Sequence, residues 1–362
     1  MKNRTGRGGP AAGPTAGDPP GATPDPTAGP TAGERARNGR PWEPGRTAPL
    51  LEVEDLSVVF DTARGPVPAV RDVSFRLEPG EIFGLVGESG SGKSTVLAAI
   101  MRLLPSVAVT DATTLRFRDT DLLRLDAAGL RSIRGTGIGL VPQRPMTSLS
   151  PVTPLRKQLR WFLGDRDPAE VTELLDQVGL RAVAERLDGY PFEFSGGQLQ
   201  RLLIMLAALA RRPALLLADE PTTTLDATVQ AQVLRLLLDL RDRLGIGIVF
   251  VSHDLGVIAQ ICDRAGVMYA GRLVESAPVG ELFDAPRHPY TRALLRALPS
   301  RYTRGQRIKV IEGSAAGANR IPGCAFAPRC PRADAVCGEQ VPALRTVAGS
   351  LVRCHHAEED AA

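Results

Sequence analysis

Two hydrophobic periods follow one another along this chain, and their order lays out a fold. Leu51–Glu54 and Leu56–Phe60 alternate apolar and polar residues, and Val70–Leu77 repeats the pattern. Alternation of this kind predicts half-buried strands. Pro79-Gly80 predicts a turn into Ile82–Val86, a mostly apolar run that reads as a buried strand. A short strand is expected at Ile138–Val141, and buried strands at Leu215–Glu220 and Gly247–Ser252. Helices are expected between them, at Thr95–Leu104, at Pro168–Leu180 (apolar at Val171, Leu174, Leu175 and Val178), at Leu199–Arg211 and at Ala227–Leu244. Val267–Tyr269 and Arg272–Val274 flank Ala270-Gly271 as a hairpin, and Thr224-Leu225-Asp226 reads as a tight turn. The fold class is therefore α/β: an antiparallel β-layer, then a parallel core carrying a helical insertion. Residues 1–48 contain Gly, Pro, Ala and Thr and almost no bulky apolar side chain. They bury too little surface to offset ordering entropy, so disorder is expected there. The core is expected over 49–285, with the insertion at about 144–200, and a C-terminal extension over 286–362.

Chemistry enters between the third strand and the first helix. Gly87, Glu88, Ser89, Gly90, Ser91, Gly92, Lys93, Ser94 and Thr95 fit G-x-x-x-x-G-K-[ST], the phosphate-binding loop. The glycines let backbone N–H groups turn inward around phosphate oxygens, and the following helix adds its positive end. Lys93 can reach the β- and γ-phosphates, and the Ser94 hydroxyl can bind Mg²⁺. Asp219 and Glu220 end a buried strand; the first is placed for Mg²⁺, the second to orient or deprotonate a water. His253 closes another strand, where ligand chemistry sits in open parallel sheets. Phe60 is the aromatic placed to stack on an adenine, or else a core side chain. Ser195, Gly196 and Gly197 open a helix and form a second anion site by the same physics. The two sites lie about a hundred residues apart. Holding one ATP between them requires two chains, which implies a dimer.

Composition narrows the alternatives. The chain has 362 residues, with 44 basic against 40 acidic side chains and 4 % aromatics. That balance does not favour nucleic acid or an anionic membrane surface. The longest apolar run near the middle is Leu202–Ala210, well short of the roughly 20 residues a membrane span needs. Any membrane role is expected to come through a partner. Cys262 stands alone, while Cys324, Cys330, Cys337 and Cys354 cluster near the end. Disulfides suit a cytosolic ATP-binding chain poorly. We expect the four thiolates to hold a metal centre, a [4Fe–4S] cluster first because the spacings are wide for one tight turn. Zinc is the alternative, with His355 and His356 beside Cys354 as further donors.

Taken together, Gly87–Thr95, Gln143, Ser195-Gly196-Gly197-Gln198, Asp219-Glu220, Leu225-Asp226 and His253 resemble the ABC-type ATPases in order and spacing. A narrower resemblance, to the ATP-binding subunits of bacterial oligopeptide and dipeptide importers, rests on Pro145–Leu149, Asp219–Leu225, Met268–Arg272, His288–Leu295 and the Cys-rich tail. It implies that Gln143 senses Mg²⁺ and the attacking water, Glu220 is the base and His253 meets the γ-phosphate. It also implies that Ser195 to Gln198 contact ATP held on a second ATPase subunit, identical or paralogous. Two membrane permeases would dock on the loop after Gln143, and an extracytoplasmic solute-binding protein would deliver peptide. The chain would then sit peripherally on the cytoplasmic face of the membrane, with no nucleic acid partner. Pro142 stands where that family usually has an aromatic, Phe194 where it usually has Leu, and the 151–180 stretch is shorter than its usual insertion. Other readings are an ABC ATPase for nickel or another solute, a soluble ABC ATPase acting on nucleic acid or ribosomes, an exporter ATPase and a P-loop kinase. The kinase leaves Ser195–Gln198 unexplained, and the exporter leaves His288–Leu295 and the tail unexplained.

Overall fold

The structure is a computed structural model that describes residues 48–223, 225–298, 302, 310–315 and 317–357. The disorder expected for the N-terminal tail and the place of Thr224 in its turn lie outside the described residues. The strands are β1 (Leu51–Thr62), β2 (Gly65–Leu77), β3 (Ile82–Val86), β4 (Ala108–Asp111), β5 (Thr114–Phe117), β6 (Thr120–Asp121), β7 (Ile138–Val141), β8 (Leu215–Asp219), β9 (Gly247–Ser252), β10 (Arg264–Tyr269), β11 (Arg272–Pro278), β12 (Arg345–Val347) and β13 (Ser350–Val352).

Among the described residues they form two sheets. The first is antiparallel, ordered β2-β1-β5-β6 with β4 also on β1. The two alternating segments at its start are one strand, interrupted by a register shift around Asp55, which takes φ of 54°. A bulge of this kind keeps Val53 and Leu56 on the buried face although they are three residues apart. The second sheet runs β12-β13-β11-β10-β3-β9-β8-β7, parallel from β10 through β7. Parallel strands covered on both faces need continuous apolar runs. Ile82, Phe83, Leu85, Leu215–Leu217 and Ile248–Val251 meet that need with no exposed surface. Each such side chain contributes roughly 1.5–3 kcal/mol on burial.

The strand runs Ile82–Val86, Ile138–Val141 and Gly247–Ser252 match the expected bounds, as does the Ala227–Leu244 helix, but the other three helices do not. The first spans Lys93–Ile100, so Lys93 and Ser94 lie inside its first turn rather than before it. The helix expected at Leu199–Arg211 spans Gly196–Ala208. The periodic residues mark a buried face, whereas the start is set by the cap: Ser195 Oγ accepts from Gln198 N, and Gln198 Oε1 accepts from Ser195 N. The helix expected to reach Leu180 spans Pro168–Gln177, because Gly179 at φ 69° turns the chain. Four α-helices lie between Gln143 and Ser195, at Pro145–Ser148, Leu155–Leu163, Pro168–Gln177 and Arg181–Ala184.

The C-terminal extension carries too few apolar residues to suggest a fold of its own, and it is attached to the core instead. β13 pairs with β11 through Glu275–Val352 and Ser276–Leu351, prolonging the central sheet. Arg353 is buried, and its guanidinium donates to the carbonyls of Leu273, Pro342 and Asp72. Asn319 Nδ2 donates to the Pro68 carbonyl of β2 at 3.2 Å. Phe326, 1 % exposed, packs its ring against Tyr269, Tyr290 and His288.

Candidate nucleotide site

The phosphate loop joins β3 to the Lys93–Ile100 helix. Its shape depends on two glycines where a side chain has no room. A Cβ on Gly87 would lie 2.1 Å from the Met268 carbonyl oxygen. One on Gly92 would lie 2.6 Å from the Ala69 carbonyl, at a φ of 100°. The loop is thereby seated against both β10 and β2. Gly90 has open space around it. No side chain caps the Lys93–Ile100 helix, so its first N–H groups remain for an anion. Lys93 is buried, and its Nζ donates to the carbonyls of Gly87 at 2.9 Å and Glu88 at 3.1 Å. Burial lowers its pKa, while the charges of Glu220 and Asp219 oppose that shift.

The carboxylates arrive from β8. Asp219 is its last residue, and Ser94 Oγ donates to Asp219 Oδ1 at 2.8 Å. Two oxygen donors this close suit a hard cation such as Mg²⁺. Burial raises the Asp219 pKa, and the charge of Glu220 adds to the rise; the Ser94 hydrogen bond and Lys93 oppose it. Glu220 leaves the strand with φ of 43°, an uncommon backbone state for a residue with a side chain, and one that concentrates at functional sites. Three groups meet its Oε2: Thr223 Oγ1 donates at 2.9 Å, Gln143 Nε2 donates at 3.2 Å, and His253 Nδ1 lies 3.1 Å away. Among the described residues Oε1 has no protein partner, which leaves it for a water. Burial would raise the Glu220 pKa, but the hydrogen bonds of Thr223 and His253 and the charges of His253 and Lys93 outweigh it and hold the carboxyl low. An ionised carboxylate with one oxygen fixed and one free is arranged to accept a proton.

The structure therefore brings Lys93, Ser94, Asp219, Glu220, Gln143 and His253 together. It does not bring Ser195–Gln198 to them. Among the described residues no hydrogen bond or ion pair joins that stretch to the phosphate loop. Ser195 and Gly196 are exposed, and a Cβ on Gly196 would meet nothing within 4 Å. Gly197 faces inward, where a Cβ would lie 2.4 Å from Val229 Cγ1. Val229 belongs to the Ala227–Leu244 helix, whose cap Asp226 accepts from Thr228 N and Val229 N. Phe60 is half-buried on β1, level with Val67 and Ala108. Cys262 is buried against Gly84 in the core, and burial pushes its thiol pKa well up.

Thr223 was not singled out from the sequence, because a Thr run after Asp-Glu-Pro reads as turn filler until the strand end is placed. Tyr290 and Arg329 were also missed as neighbours of the site. Tyr290 Oη accepts from the Glu88 backbone N–H at 3.1 Å, and Arg329 Nη1 reaches Glu88 Oε1 at 3.1 Å and Oε2 at 3.2 Å. The signal for Arg329 was its place directly before Cys330.

A phosphate loop on β3, carboxylates at the end of β8 and an antiparallel side-layer define an ATPase of the ABC type. Comparison with known proteins agrees. The ABC transporter family model matches residues 70–223, and the model of the oligopeptide/dipeptide transporter C-terminal region matches residues 274–337. A peptide import ATP-binding protein of Brucella melitensis is 44 % identical over 317 residues, covering 85 % of this chain and 95 % of that protein. One from Brucella ovis is 46 % identical over 319 residues, covering 83 % and 94 %. The dimeric bacterial ABC transporter cassette MJ0796 superposes with a TM-score of 0.55 at 27 % identity, covering 63 % of this chain and 98 % of that one. Its post-hydrolysis dimer with ADP and Pi gives 0.54. The chain belongs to the ABC transporter ATPases, in the branch that carries the oligopeptide/dipeptide transporter C-terminal region.

Proposed function

We propose that this ATPase powers the import of peptides through a membrane permease. Residues 49–285 would form the motor and 286–362 the extension that marks the peptide class. Gly87–Thr95 would hold the phosphates, with Phe60 against the adenine. Ser94 and Asp219 would hold Mg²⁺, with Gln143 at its edge; the ion would offset phosphate charge. Glu220 would take the proton of the attacking water, with Thr223, Gln143 and His253 fixing its other oxygen. Ser195, Gly196, Gly197 and Gln198 would close on ATP held by a second ATPase subunit. The observation that carries this reading is the pair of half-sites. One is assembled around Glu220, and the other is exposed at Gly196, where among the described residues no atom lies within 4 Å of a Cβ placed there.

Among the described residues no helix is long and apolar enough to cross a membrane. Two permease subunits would supply the path, with a solute-binding protein feeding them and this chain peripheral on the cytoplasmic face. A docking face is available on the insertion, where Met146, Val152, Trp161 and Phe162 are exposed. Gln158 is buried and ties the Ser150–Thr153 loop to the Leu155–Leu163 helix through three hydrogen bonds. The test is ATP hydrolysis against subunit concentration, with and without permease. Specific activity should rise with concentration or appear only in the assembled transporter. Constant specific activity in the isolated chain would remove the shared-site model.

The extension's own chemistry supports a second part of this reading. Cys324, Cys330, Cys337 and Cys354 line one small pocket walled by Pro289, Phe326 and Pro342. Burial pushes all four thiols up; at Cys354 burial and, after it, the other three thiols together raise the pKa to about 11. Four converging thiols in an apolar wall fit a thiolate-bound metal centre, and a [4Fe–4S] cluster would supply the cross-link this sparse segment needs. Ligand atoms of Asp334, Cys337 and His356 also lie within 4.8 Å of one another, a donor set for zinc. Iron, sulfide and zinc measured on protein purified without oxygen decide between them. Equal iron and sulfide supports the cluster, and zinc without iron replaces it.

A further inference from the structure

The phosphate loop of this chain carries a charge that its own ligand would repel. Glu88 is its second residue, and its side chain is 29 % exposed. Placed beside a polyanionic nucleotide, a free carboxylate there weakens binding. The structure shows what answers that charge, and it comes from the far end of the sequence. Arg329 Nη1 bonds both Glu88 oxygens, at 3.1 and 3.2 Å, with its side chain only 7 % exposed.

Arg329 is itself held on every side. Its Nη1 also donates to Tyr269 Oη at 3.2 Å, its Nε to the Glu312 carbonyl at 2.9 Å, and its Nη2 to the Ile311 carbonyl at 3.4 Å. The guanidinium lies over the rings of Tyr269 and Phe326. A cation fixed this firmly presents one geometry to its partner. The main chain of the same residue is held as well. The Glu88 N–H donates to Tyr290 Oη, and the Glu88 carbonyl accepts from Lys93 Nζ. Tyr290 is fully buried between Tyr269 and Phe326. Glu88 is thus gripped by its N–H, its carbonyl and its carboxylate, two of the three from residues beyond 285.

We propose that Arg329 and Tyr290 are positioning residues for nucleotide binding, Arg329 by neutralising Glu88 and Tyr290 by fixing its backbone, so that the extension is part of the phosphate site. Neither touches substrate. This rests on the phosphate-loop reading but not on a permease, a peptide or a metal.

The experiment is a double-mutant cycle of Arg329→Gln and Glu88→Gln in the full chain, reading nucleotide affinity by titration with a fluorescent ATP analogue and KM against kcat for ATP. Gln at 329 keeps hydrogen-bond donors and removes the charge. In the wild-type background Arg329→Gln should weaken nucleotide binding and raise KM about tenfold, with kcat changed far less. In the Glu88→Gln background the same change should cost threefold or less, because no carboxylate remains to be neutralised. Equal losses in the two backgrounds mean that Arg329 only supports the fold, and the proposal falls. It falls also if Arg329→Gln leaves affinity intact. If Arg329→Gln alone does not fold, the double variant, which buries no unpaired charge, is compared with Glu88→Gln. An affinity within threefold supports the proposal, and a tenfold loss overturns it. Failure of all variants and of the parent to bind nucleotide would instead reject the phosphate-loop reading itself.

Discussion

The two sides of the central sheet are held by different chemistry. Around β3, β9 and β8, aliphatic strands with no exposed surface deliver Lys93, Asp219 and Glu220 to one place. At the β12–β13 edge the strands are three residues long, and attachment relies on a buried arginine and one aromatic hub. The first arrangement is rigid without help, which suits groups that must act at fixed distances. The second has little apolar surface to spend and gains order from the core it rests on. They meet at Glu88. A self-sufficient core should lose function without losing its fold, whereas a borrowed fold should loosen when its one large contact goes.

The largest expected effect tests the first half of that contrast. Glu220→Gln keeps the size of the side chain and removes its basicity. Turnover should fall roughly 10²–10⁴-fold, while ATP binding and thermal stability stay close to those of the parent. If hydrolysis persists, the proton passes to another group, and His253 at 3.1 Å becomes the candidate.

Phe326→Ala tests the second half. The ring is buried among Tyr269, Tyr290 and His288, and truncating such a side chain costs about 3–5 kcal/mol. The loss should appear as protease sensitivity beyond residue 298, ahead of cleavage in the core. One cooperative transition with uniform proteolysis would mean that core and extension are a single unit, and the contrast would dissolve.

Adjacent glycines sharpen the comparison within the core. Gly197→Ala forces a methyl group against Val229 Cγ1, and overpacking of this kind costs about 1–3 kcal/mol. Gly196→Ala meets no atom of the described residues within 4 Å, so its melting temperature should not move. Its activity should fall only where two subunits close. An equal loss of stability in both variants would argue that Gly196 is structural.

How much of this was legible beforehand follows from the same contrast. Continuous apolar runs gave β3, β7 and β9 to the residue, because burial on both faces leaves no other composition. The helix starts at Pro168 and Ala227 were legible, but those expected at Thr95 and Leu199 were misplaced, since the phosphate-loop turn and the Ser195 cap override periodicity. The residues of the Glu220 cluster were named except Thr223, whose role depends on how the turn after Pro221 folds back. β4, β5, β6, β12 and β13 were missed, being two to four residues long, too short for a period to register. The link from Arg329 to Glu88 spans 241 positions, and no local pattern carries such information.

The smallest expected effect concerns charge held in the site without its cation. Burial first, then the charge of Glu220, raises the Asp219 pKa above the usual carboxylate range. A carboxyl raised on folding contributes stability that is complete below its unfolded pKa and is lost as pH rises through the folded value. At neutral pH the charged form is therefore a cost to the nucleotide-free protein. Asn at 219 removes the charge and keeps an oxygen to accept from Ser94. Asp219→Asn should thus melt slightly higher than the parent at pH 7–8, by about 2 °C or less, and the advantage should vanish near pH 3–4, where the parent's carboxyl is protonated. Added Mg²⁺·ATP should reverse the order, because a ligand stabilises the form that binds it, and the variant lacks a carboxylate for the ion. Melting curves across pH, with and without Mg²⁺·ATP, read both signs. A variant that melts lower at every pH would show that Asp219 holds the fold rather than waiting for a cation.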